Sequence, residues 1–138
     1  MQAITAYRVS AGRFVIAEGD SNRVICLKAE REGKDHINHF LVPLDPVSDR
    51  RALRLIYLDP EQLLLPLDGL SFAFTPGTDG EAAQIGDALT VGEDTWLKVL
   101  DDPASQRLYS YVDLASGQVR PRMERQTHRL AHWRIERL

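Results

Sequence analysis

Residues 12–42 read GRFVIAEGDSNRVICLKAEREGKDHINHFLV, and this stretch decides the fold. Three apolar runs, Gly12–Glu18, Arg23–Glu30 and His36–Val42, are separated by two clusters of turn residues. Each run is too short for a globular helix and is rich in Val, Ile, Phe and Leu, so each reads as a strand. Gly19-Asp20-Ser21-Asn22 is a tight polar turn, and Gly33 offers positive φ to the second turn. Pro43 is expected to stop the third strand, because it lacks a backbone donor. Three strands on short loops favour a meander.

Downstream, residues 43–52 form a polar connector with two prolines. Leu53–Leu58 (LRLIYL) is apolar on both faces, so periodicity allows a central strand or a short buried helix. Asp59-Pro60-Glu61-Gln62 carries an N-cap residue and a Pro at the first helical position, and Pro66 ends any such helix within two turns. Asp68-Gly69 signals a hairpin, and Leu70–Thr75 alternates as a strand. Residues 76–87 read as the one long loop, Gly-rich and acidic. Ala88–Val91 and Thr95–Leu100 flank Gly92-Glu93-Asp94; Arg107–Asp113 and Gln118–Arg122 flank Leu114–Gly117. Met123–His128 reads as a turn of helix or as strand. Arg129–Arg137 is the last strand, with Ala131, Trp133 and Ile135 on one face.

Turn signals every eight to twelve residues predict a mainly β chain. The expected architecture is an antiparallel meander closing into a small barrel or a two-sheet sandwich, with at most one or two short helical turns. The 138 residues correspond to one all-β domain, 1–138, large enough to bury a core without metal or disulfide. Hydrophobic residues at 43% and charged residues at 27% are a globular balance, not a disordered one. A single cysteine, no signal-peptide pattern and no long apolar run point to a cytoplasmic protein with no membrane partner. Residues 118–138 carry net +4 and residues 1–117 net −7, so the basic end is a candidate for meeting an anion. Arginine outnumbers lysine fourteen to three, which fits a GC-rich bacterial genome as well as any chemistry.

No nucleophile-elbow, dinucleotide-binding, phosphate-loop or metalloprotease motif occurs, and the reading leans away from an enzyme. Cys26, in Val24-Ile25-Cys26-Leu27, lies in an apolar run and reads as a core thiol. His36 with His39, and His128 with His132, lack the further ligands that zinc needs, so no metal and no cofactor are expected. Glu93-Asp94 and Asp101-Asp102 read as turn residues.

The most informative constellation is the hairpin over 107–122. Alternation puts Arg107, Tyr109, Tyr111 and Asp113 on one face. With a Leu114–Gly117 loop, Val112 faces Val119, Tyr111 faces Arg120 and Tyr109 faces Arg122. The expected result is a surface ladder of Arg107, Tyr109, Tyr111, Arg120 and Arg122 on an edge marked by Pro121. Such a face suits a protein partner or a second copy of the chain. It also suits single-stranded nucleic acid, against which the acidic pI of 5.8 weighs. The alternative is a ligand site, or an active site, in the mouth of the barrel or sandwich, lined by Trp96, His132 and Trp133 and covered by 76–87.

Overall fold

Short β-branched runs joined by tight turns can satisfy their backbone groups only by pairing with their neighbours, and the chain does this twice. The computed structural model of the chain describes residues 2–79, 82–103, 107–121 and 128–138. The first half forms β1 (Ile4–Thr5), β2 (Phe14–Ala17), β3 (Ile25–Glu32), β4 (Ile37–Asp45), β5 (Ile56–Leu58) and β6 (Leu63–Pro66), in spatial order β1-β6-β2-β3-β4-β5. The second half forms β7 (Leu70–Asp79), β8 (Ala88–Val91), β9 (Asp94–Leu100), β10 (Tyr109–Asp113), β11 (Val119–Arg120) and β12 (Arg129–Arg137), in order β11-β10-β9-β8-β12-β7. Every strand pair is antiparallel. The two six-stranded sheets form a sandwich. Isolated bridges at Glu30–Gln118 and Arg54–Leu100 stitch their corners without closing a barrel. Two 3-10 turns, Ala6–Arg8 and Arg50–Ala52, are the helical elements of the described residues.

Several expectations need correction. Of the two readings open for Leu53–Leu58, the strand holds over Ile56–Leu58, but β5 lies at the edge of the first sheet rather than at its centre. Asp59 starts a turn, accepting from the Glu61 amide at 2.9 Å, and the chain then enters β6 instead of a helix. β4 runs through Pro43 to Asp45, because a register shift between Ile25 and Cys26 interrupts the ladder beside that proline. The strand beginning at Leu70 continues to Asp79, so the loop expected over 76–87 is shorter than its composition suggested. Most of the expected helical turn at 123–128, and Arg122, lie outside the described residues.

The main core lies between the sheets. Leu27, Ala29, Phe40 and Val42 of the first sheet meet Ala88, Leu97, Val99, Val112 and Trp133 of the second. Each sheet also buries part of its outer face. Val15, Cys26, Leu41, Leu58 and Leu64 pack under Ala6 and Val9, so the N-terminal segment covers the first sheet. Leu89, Trp96 and Tyr111 pack with Ala83 on the far side of the second. This explains why RVICLKAE is apolar on both faces rather than alternating.

Gly117 lies at one corner where the sheets meet. It has φ +73°, and its carbonyl accepts from the Glu30 amide at 3.0 Å. A Cβ there would strike the Gly12 amide and the Lys28 carbonyl. At Gly92, φ is +61° but the space around the Cα is open. Gly92→Ala therefore meets only the backbone penalty, about 1 kcal/mol. Gly117→Ala adds a collision with main chain on both sides, and its loss is expected to reach the upper end of about 1–3 kcal/mol. Urea denaturation of both variants checks this; equal losses would contradict the close corner.

Candidate functional site

β7 is the feature that the packing leaves open. It is an edge strand of ten residues, and among the described residues its pairing partner is β12 alone. The other edges, β1, β5 and β11, have two, three and two residues, and Pro121 follows β11. From Leu70 to Thr78 the sequence LSFAFTPGT contains no charge. Natural edge strands are usually kept short or charged, because an exposed ladder recruits other strands.

The Leu138 amide bonds the Gly69 carbonyl at 2.8 Å, which fixes the alternation along this edge. Gly69, Ser71, Ala73 and Thr75 turn their backbone groups to β12. Leu70, Phe72, Phe74 and Pro76 turn theirs to the free edge. Pro76, which has no N–H, therefore removes no bond from the ladder.

The side chains beside this edge are aromatic. Phe14 and Phe72 have ring centroids 4.9 Å apart, and Phe72 and Phe74 stack at 6.1 Å. With Leu114 and Ala115 they line a cleft of about 390 Å³, to which Ser71, Glu93, Asp94 and Thr95 also contribute. Phe74 remains 41% exposed.

The hairpin over 107–122 forms in the expected register: Tyr111 pairs with Arg120 and Val112 with Val119. Its outer face is not the exposed ladder anticipated, because Tyr111 is fully buried. The segment 82–87 supplies the cover. Lys98 donates from Nζ to the Ala83 carbonyl at 3.0 Å, the Gly86 amide bonds the Lys98 carbonyl at 2.8 Å, and Ala83 packs with Tyr111 and Trp96. Among the described residues, the Tyr111 hydroxyl and Trp96 Nε1 are buried there without hydrogen-bond partners. Tyr111 thus has no open face for stacking a base. Tyr109 stays partly exposed, with the Lys98 ammonium 4.1 Å from its ring centroid. Arg107 and Arg120 are exposed and line a separate depression with Arg31.

Trp96, His132 and Trp133 do not converge. Trp96 joins the outer cluster, whereas Trp133 belongs to the core between the sheets. Trp133 donates its indole N–H to the Gly86 carbonyl at 2.8 Å and lies 3.9 Å beneath the Arg50 guanidinium. His132 neighbours Trp133 on β12, so it points to the opposite face, where it is exposed.

Two buried polar networks went unread in the sequence. Lys28 is fully buried, and its Nζ donates to Glu30 Oε1 at 2.7 Å and to His39 Nδ1 at 2.8 Å. The contact makes Nδ1 an acceptor and so fixes the neutral imidazole tautomer. Burial, and then the Lys28 charge, hold the His39 pKa below its ordinary value, against a smaller opposing pull from Glu30. Arg31 Nη2 donates to both carboxylate oxygens of Asp101, at 2.8 and 2.7 Å, and Asp101 also accepts from the Ser110 hydroxyl. Parity with Cys26 was the one sequence signal that Lys28 points to a covered face.

Cys26 is buried, and desolvation, helped by Asp20, pushes its thiol up to about 12. A thiol so protonated is a poor nucleophile. Among the described residues no cluster of three His, Cys, Asp or Glu side chains is placed to hold a metal ion, and no helix is long and apolar enough to cross a membrane. Comparison with protein-family models, curated proteins and solved structures gives no match.

Because the fold lowers the His39 pKa, the unfolded chain takes up its proton first as pH falls. The stability it contributes is complete above about pH 6.5 and is lost as pH falls through its lowered folded value. His39→Asn keeps an acceptor near the Nδ1 position and cannot titrate. Denaturation midpoints between pH 7.5 and 5 are expected to fall less steeply for the variant than for the parent chain. Parallel slopes would contradict the assignment.

Proposed function

We propose that the chain is a non-enzymatic β-sandwich that works as an interaction or assembly module, taking an extended strand of a partner polypeptide along the free edge of β7. The observation that carries the reading is the ten-residue, nearly uncharged edge. Among the described residues, the N–H and C=O of Leu70, Phe72 and Phe74 have no backbone partner and are open to an incoming strand. Strand addition draws its affinity from such main-chain bonds and its specificity from pockets for alternate side chains. The cleft over Phe14, Phe72 and Phe74 is such a pocket. Glu93 and Asp94 at its margin favour a basic residue beside the apolar one that enters.

The proposed contact lies on β7 rather than on the hairpin face, because an anchor residue has to be reachable by its partner and Tyr111 is fully buried. The protected state of Cys26 and the sealed position of Lys28 support a non-catalytic reading.

A library of displayed extended peptides, selected on the full chain, tests the proposal. Selected peptides are expected to combine aromatic or aliphatic residues at alternate positions with lysine or arginine. Phe74→Lys places a charge on the edge at a partly exposed position, and it should weaken capture at least about tenfold while leaving the denaturation midpoint close to the parent value. Selected peptides that bind Phe74→Lys as well as the parent would overturn the reading.

A further inference from the structure

We infer that the depression between β3 and β11 is a binding site for the phosphoryl group of a small phosphorylated ligand. This rests on residues separate from β7 and does not depend on the strand-capture reading. Arg31, Glu32, Arg107, Val119, Arg120 and Pro121 line a cavity of about 360 Å³, within the size range of small-ligand sites. Among the described residues, Arg31, Arg107 and Arg120 thus border one hollow with Glu32, and Asp101 pairs with Arg31 behind it.

The site is built rather than being a chance meeting of surface charges. Arg31 is only partly exposed, its side chain at 23%. Asp101, whose side chain is fully buried, holds it through Nη2 alone, and the Phe40 ring lies 5.3 Å from its guanidinium carbon. Asp101 is itself fixed by the Ser110 hydroxyl and the Asp102 amide. Among the described residues, Nε and Nη1 of Arg31 enter no hydrogen bond, so that guanidinium is oriented from one end and still has donors to give.

Arg120 comes from β11, where its cross-strand pairing with Tyr111 sets its place. A guanidinium presents its donors in a planar fork that matches phosphate oxygens, and a pre-oriented one loses little freedom on binding. Val119 and Pro121 supply an apolar wall for the remainder of a small molecule. The contrast with β7 is chemical: one surface is uncharged and aromatic, the other cationic and concave.

Titration of the full chain with pyrophosphate, followed by amide shifts in a two-dimensional nitrogen–proton NMR spectrum, tests the inference. Saturable shifts centred on Arg31, Val119 and Arg120 are expected, with a dissociation constant of about 1 mM or tighter. Arg120→Glu should weaken binding at least about tenfold, since it removes one fork and adds a repelling charge. Arg120 is exposed, so its thermal midpoint should match that of the parent. Arg31→Lys, which keeps the charge but loses the fork, should bind less well than the parent. Absence of saturation, or undiminished binding in Arg120→Glu, would overturn the site. So would oligothymidylate binding that tightens with strand length and exceeds that of pyrophosphate, which would indicate a nucleic-acid backbone instead.

Discussion

β3 changes partners part-way along one of its edges, and the arrangement of both sheets depends on that change. Near its start it pairs with β2, and the ladder continues outward as the Lys28 amide bonds the Arg13 carbonyl and the Lys28 carbonyl accepts from the Gly12 amide. Two residues later the Glu30 amide turns to the Gly117 carbonyl, in the opposite sheet. The handover brings three backbones together at a point where only glycine fits at position 117. It fixes one corner of the sandwich. The second corner, where Leu55 and Leu100 donate to Leu100 and Leu53 in turn, closes the opposite side.

From this corner the chemistry of the molecule divides. Lys28 is drawn under cover together with Glu30 and His39, where a buried ion pair needs every hydrogen bond it can make. Arg31 passes beyond the handover and reaches across to Asp101, just after β9 of the second sheet, which positions its guanidinium at the edge of a cavity. The inner faces of both sheets are consumed by the central core, and part of each outer face by a covering segment. β7, at the far margin of the second sheet, is the longest edge strand among the described residues.

The sequence disclosed what depends on near neighbours. The turn residues around 19–22 and 31–35 placed the first three strands. The Leu114–Gly117 loop gave the pairing of Val112 with Val119 and Tyr111 with Arg120. The face shared by Ala131, Trp133 and Ile135 was also legible, since alternation within a strand is local. What remained hidden was set by distant segments. Tyr111 and Tyr109 share a face, yet only the fold of 82–87 over the sheet separates a buried ring from a partly exposed one. Trp96 and Trp133 lie on different strands, and nothing local says that they occupy opposite faces. Pro43 and Pro76 signalled strand ends, whereas an irregular ladder beside one and a free edge beside the other let both strands continue. The arginine-lined depression was half visible, as Arg107 and Arg120; Arg31 joins them only through the handover of β3.

The central claim is that β7 presents an unpaired hydrogen-bonding edge to solvent. Residue-resolved hydrogen exchange on the monomeric chain tests it most directly. Amides of Ser71, Ala73 and Thr75 are expected to exchange slowly, held by β12, while those of Leu70, Phe72 and Phe74 exchange orders of magnitude faster. Equal protection of both sets in the monomer would show that the edge is already covered, and would contradict the account.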